Sequence, residues 1–172
     1  MSKYEVKGVK YHKGHEGEPL AQCSLYRDGV KVAEYSDGDW GSEARFWWSD
    51  DKAPKVSFQT TDYEGKPWTI SCTPEEAVLR EHIKGMKWKS DTHEFDMSID
   101  IFVSDIIQVW DNENRFKRLC KNKTLFRVKG DPADEWRTIK AVYSVQVKDF
   151  IVKKYGDKVE EILNERFAKL AA

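Results

Sequence analysis

Residues 36–51, SDGDWGSEARFWWSDD, hold five acids, one arginine and three of the chain's seven tryptophans in sixteen positions. The carboxylates of Asp37, Asp39 and Glu43 are of the type that calcium or magnesium takes. An EF-hand loop, however, needs acids at its first, third and fifth positions, glycine at the sixth and glutamate at the twelfth. Counted from Asp37, Gly41 falls fifth and Trp48 twelfth, so the stretch reads as a solvated turn. His12-x-x-His15, with Glu16 and Glu18 beside it, is a second set of metal-capable groups. It sits in a glycine-flanked loop that supplies little fixed geometry without a distant fourth ligand. No metal and no cofactor is expected. Cys23, Cys72 and Cys120 are far apart and form no C-x-x-C pair, which points to reduced thiols rather than a disulfide framework or a cysteine zinc site. The nucleophile elbow, the P-loop, the dinucleotide fingerprint and the H-E-x-x-H helix are all missing. An enzyme would have to assemble its groups from distant positions, since catalytic constellations are defined by geometry and not by chain order.

The tryptophans offer a different chemistry. Side chains on a strand alternate between faces, so Phe46 and Trp48 share one face while Arg45 and Trp47 share the other. If a second layer covers both faces, all four are core, the usual fate of large aromatics. If only one face is covered, an indole and a guanidinium stand in water, and Trp and Arg are enriched at protein-binding hot spots. Trp40, Arg45 and Trp47 are therefore the candidate partner-binding residues.

Charge supplies the remaining candidates. The 29 Lys and Arg nearly balance 30 Asp and Glu, for a net charge of -1, so no global field draws the chain to nucleic acid or membrane. Locally the signs separate. Residues 91–113 contain seven acids and no Lys or Arg, and residues 115–129 contain seven bases and no acid. On one long helix this order complements the macrodipole, a sufficient structural reason. Yet the bases run on through Arg137 and Lys140, beyond the reach of a helix end. Arg115, Lys117, Arg118, Lys121, Lys123 and Arg127, with Trp136 and Phe126 near, could engage phosphates and stack on bases. The same residues also suit a solvated face or an acidic protein partner, and the acidic run could dock a basic surface.

The elements that must position these groups read as α+β. Alternation gives strands at 4–11, with Gly8 as a bulge, at 43–48, 55–61 and 67–72, and a hairpin in LAQCSLYRDGVKVAEY. There Asp28-Gly29 suits the positive φ values of a type I′ turn. An N-terminal antiparallel meander of five or six strands follows. Thr73-Pro74-Glu75-Glu76 opens a short helix with an N-cap, a first-turn proline and a capping-box glutamate, its face made of Val78, Leu79, His82 and Ile83. Ile99, Phe102, Ile106, Val109 and Phe116 predict a long central helix over about 97–121. Two strands of a β-hairpin, KTLFRVK and EWRTIKAVY, then turn at GDPAD. Two C-terminal helices end the chain, the first capped by Ser144 and closed by Gly156, the second opened by a capping box of Asp157 and Glu160. At 172 residues the chain suits a single domain spanning 1–172, with the charge change near residue 90 marking a mainly β part (1–90) and a helix-hairpin-helices part (91–172).

Uninterrupted apolar runs never exceed three residues, too short to span a membrane, and the start MSKYEVKGVKYHK has no secretory signal, so a cytoplasmic protein is expected. The segments "LCKNKTLFRVKGDPADEWRTIKAVYSVQVKDFIVKKYGDKVEEILNERF" and "LYRDGVKVAEYSDGDWG", somewhat under half the chain, resemble small uncharacterised proteins of tailed bacteriophages and prophages. The resemblance implies a viral protein acting in the bacterial cytoplasm on a host or defence component, and carries no catalytic residues. The expectation is a non-catalytic protein that binds a host or defence macromolecule as a regulator or inhibitor. The alternatives are a nucleic-acid-binding module using residues 115–140, and an enzyme or small-ligand-binding protein.

Overall fold

A computed structural model describes residues 3–40, 42–61, 65–89 and 92–169; Gly41 of the acidic loop and Asp91 of the acidic run lie outside them. The fold is α+β and divides into two compact units, Met1–Val109 and Trp110–Ala172.

In the first unit, β1 (Tyr4–Lys13), β2 (Pro19–Arg27), β3 (Val30–Ser36) and β4 (Arg45–Trp48) form an antiparallel meander in that spatial order. Gly8, at φ 65°, sits where the register between β1 and β2 slips between Lys7 and Lys10, a bulge. Asp28 and Gly29 both take positive φ and link Arg27 to its partner Val30, as the two-residue turn requires. Cross-strand rows settle which side chains share a face. Val6, Leu25, Ala33 and Trp48 stand in one row, and Cys23, Tyr35 and Phe46 in the next along the same face. Val6, Leu25, Ala33, Cys23 and Tyr35 are buried, so this is the core face.

The expected sheet of five or six strands is instead a sheet of four plus a separate ribbon. Among the described residues, strands β5 (Val56–Thr61) and β6 (Pro67–Cys72) pair only with each other. Alternation marks a strand but not its neighbour, which is decided by non-local contacts. Helix α1 (Pro74–Ile83) begins where expected: Thr73 Oγ1 accepts from Glu76 N at 3.1 Å. The Glu76 carboxylate does not close the box; it takes two hydrogen bonds from Arg80, one turn on. Leu79 and Ile83 are buried, whereas Val78 is exposed. Two short strands, β7 (Lys87–Lys89) and β8 (Glu94–Asp96), make a small hairpin before the long helix.

Helix α2 (Ile99–Cys120) is the predicted central helix, and the division between the units falls inside it. Its expected stripe is corrected by one position: Val103 and Ile107 are buried, and Val109 is exposed. Within the first unit its start meets α1 and the sheet, with Phe102 against His82 and Tyr4, and Ser104 Oγ 3.4 Å from the Tyr35 hydroxyl.

The second unit is built on β9 (Thr124–Val128), buried at four of its five residues. Strand β10 (Arg137–Ile139) pairs on one side, completing the expected hairpin. Helix α3 (Val145–Tyr155) runs from Ser144, whose hydroxyl accepts from Val147 N, to Gly156 at φ 55°. The second capping box is overturned. Gly156–Lys158 is a single 3-10 turn, and Val159–Ile162 forms β11, antiparallel to the other side of β9. The local capping pattern loses to an open edge whose Arg127 lies 3.3 Å from Glu160 and 3.6 Å from Glu161. Helix α4 (Leu163–Lys169) starts only after the strand. Phe126, Val128, Ile151 and Ile162 form the core of this unit.

Candidate binding face and charged surfaces

Strand β4 is the last in its sheet, and among the described residues no strand pairs with its far side. Its pleat sorts the four side chains as the alternation requires. Phe46 and Trp48 turn to the core face, stacked at 5.3 Å with planes 10° apart, and Phe46 also meets the edge of Tyr35 at 5.1 Å. Arg45 and Trp47 turn the other way and are exposed, Trp47 at 52%. The row through Trp47 on that outer face continues as Glu34, Ser24 and Lys7, and the row through Arg45 as Ser36, Gln22 and Lys10. A single indole thus rises from a polar surface in which Glu34 is already held by Lys31 and Ser24.

Trp40 is not on the strand. It lies in the loop before it, 71% exposed and at φ 55°. Its indole N–H donates to Glu16 Oε1 at 3.3 Å, and its ring lies 4.7 Å from that of His15. His15, read from sequence as half of a metal pair, instead steadies this tryptophan, and its own backbone N–H donates to Asp39 Oδ1 at 3.1 Å. Sequence reasoning missed the clamp, because its two halves are 24 residues apart.

The acids of the loop also serve the backbone. Asp37 accepts from Ala21 N at 2.6 Å and from the Tyr35 hydroxyl at 2.5 Å. Asp50 Oδ2 accepts from Glu75 N, in the first turn of α1, at 2.9 Å. Among the described residues no three His, Cys, Asp or Glu side chains converge as a metal set. The thiols are poorly disposed to act as nucleophiles. Burial pushes the Cys23 thiol up to about 12, and burial likewise raises Cys72 and Cys120 above the ordinary thiol value.

The six basic candidates separate. Arg127 is held by Glu160 and Glu161, stacks over Trp136 at 5.1 Å, donates to the Ala133 carbonyl, and has a side chain only 16% exposed. Lys123 is half-buried. Arg115, Lys117, Arg118 and Lys121 are exposed and have no acid partner among the described residues. No family model, no curated protein and no solved structure matches the chain. Among the described residues no helix is long and apolar enough to cross a membrane.

Proposed function

We propose that the protein is a non-catalytic binding protein whose outer β4 face captures a macromolecular partner. Trp47 and Arg45 are the residues desolvated on binding, and Trp40 contacts the partner at the end of the sheet. The single observation that supports this reading is the exposed Trp47 on an edge strand, with Phe46 and Trp48 occupying the core side. A core role would have placed it with them. Trp47 is rigid and large enough to fill a partner pocket, and Arg45 beside it can pair with a carboxylate there. The unpaired edge of β4 gives the partner a second handle, since an extended segment can hydrogen-bond along it.

The resemblance to phage and prophage proteins gives this surface a setting: a phage-encoded regulator or inhibitor that occupies a host or defence protein in the bacterial cytoplasm. Stoichiometric occupation asks for no catalytic group, which accords with the raised thiols. The test is capture of a partner from bacterial extract by wild type, Trp47→Ala and Arg45→Glu, with melting temperatures measured on the same preparations. Loss of capture without loss of stability supports the reading, and unchanged capture by both variants removes it.

A further inference from the structure

The binding face on β4 leaves the basic half of α2 unexplained. The first unit contains 14 Lys and Arg against 20 Asp and Glu, and the second 15 against 10, so a nearly neutral chain carries about -6 and +5 in separate units. Within the second unit much of the acid is committed internally. Asp131 holds Arg137, Glu160 and Glu161 hold Arg127, and Glu165 holds Lys148. The excess positive charge is therefore left on groups with no such partner.

Successive residues of an α-helix are 100° apart, which sets which of these groups stand together. Trp110, Asn114, Lys117 and, in the turn just past the helix, Lys121 fall in one row, with Arg118 beside it; Arg115 stands more than about 100° away on another side of the helix. Lys117, Arg118 and Lys121 are exposed, Lys117 with its ammonium 5.8 Å from the Phe167 ring, while Trp110 and Asn114 are half-buried at the other end of the row. The macrodipole favours bases in the last turn, where Lys117 and Arg118 stand, and its effect fades within a turn. Two cations in the row and a third beside it, none with an acid partner among the described residues, are continued at steps of about 4.5–6 Å by an amide and an indole, which offers phosphate contacts at one end and base contacts at the other.

We infer that the C-terminal end of α2 is a nucleic-acid-binding face, on which Lys117, Arg118 and Lys121 hold the phosphate backbone and Trp110 and Asn114 meet bases, while Arg115 stands on another side of the helix. An acidic protein would use the cations but has no need of the indole and amide in line with them. Arg127, which sequence alone places in the set, belongs to the fold and not to this face.

The probe is a fluorescein-labelled oligonucleotide of about 20 residues, single-stranded and as a duplex, titrated by anisotropy with the full chain at several salt concentrations. Three phosphate contacts predict a slope of log affinity against log salt near about -2.7 for duplex or about -2.1 for single strand, so the slope distinguishes the two. From about 50 to about 200 mM salt, affinity should fall roughly 40-fold or roughly 20-fold respectively. Arg118→Gln with Lys121→Gln should lower the magnitude of the slope by about 1.8 for duplex or about 1.4 for single strand, because each removes one phosphate contact. Both side chains are exposed, and an unchanged circular dichroism melt of the double variant confirms that the fold is intact. The inference is overturned by no binding at about 50 mM salt, by a slope indifferent to the double variant, or by polyglutamate competing as well as unlabelled oligonucleotide.

Discussion

Trp47 and Phe46 are adjacent and of similar bulk, yet they meet opposite fates because a strand turns successive side chains to opposite faces. Trp47→Ala is expected to change stability by no more than about 0.5 kcal/mol, as at other exposed positions. Phe46→Ala removes a ring stacked on Trp48 and set against Tyr35, and should cost about 2 kcal/mol, less than a fully enclosed phenylalanine would. Urea midpoints of the two variants check this contrast; equal losses would mean that the pleat does not divide the two residues. The division was legible in the sequence, since it follows from period two alone. The clamp on Trp40 was not. Glu16 and His15 reach it only after β2 and β3 have folded back, and no local pattern announces a partner 24 positions away.

Elements follow the same rule. Thr73, Ser144 and the Asp28-Gly29 turn act within four residues of themselves, and each stands where the sequence placed it. Strand partners and buried polar clips do not act locally. The capping pattern at Asp157 and Glu160 is sound in isolation but gives way to pairing with β9, whose partner residues lie 31 to 36 positions upstream in sequence. Asn164, which nothing in ILNERF singles out, is buried at the start of α4. Its Oδ1 accepts from Leu125 N at 2.9 Å, and its Nδ2 donates to the carbonyls of Cys120 at 3.1 Å and Lys123 at 2.9 Å. One side chain thus fastens the turn between α2 and β9 to the last helix. Asn164→Ala orphans three backbone groups and is expected to cost about 2–4 kcal/mol, with amide-exchange protection lost first in the second unit. A loss under about 0.5 kcal/mol would show that water replaces the amide without penalty.

For the whole molecule, burial and charge each have a measurable consequence. Burial raises the Tyr4 phenol to about 12, burial and then the Glu165 hydrogen bond raise Tyr143 to about 12, and burial raises Cys23 to about 12. In the unfolded chain these groups ionise near their ordinary values of about 8.5–10. An acid held neutral by folding favours the native state fully below its unfolded value, and that contribution drains away as pH climbs toward the folded one. Stability should therefore decline between about pH 9 and pH 12, less steeply in Tyr4→Phe, with urea midpoints as the measure. A midpoint flat across that range would contradict the burial of all three. The division of charge into an acidic and a basic unit was half legible, since the sign change stands out in the chain. Which cations stay unpaired was not, because the acids that hold Arg127 come from a strand that sequence reads as helix.

The central claim is that Trp47 belongs to a partner and not to the core. Its most direct measurement is capture from nuclease-treated bacterial extract by wild type and Trp47→Ala in parallel, with calorimetric melting of both. The account predicts one protein recovered in near-equal amount by wild type, at least about tenfold less by the variant, and melting temperatures within about 2 °C of each other. Equal recovery by the two proteins, or a fall in melting temperature of about 8 °C or more in the variant, would contradict it.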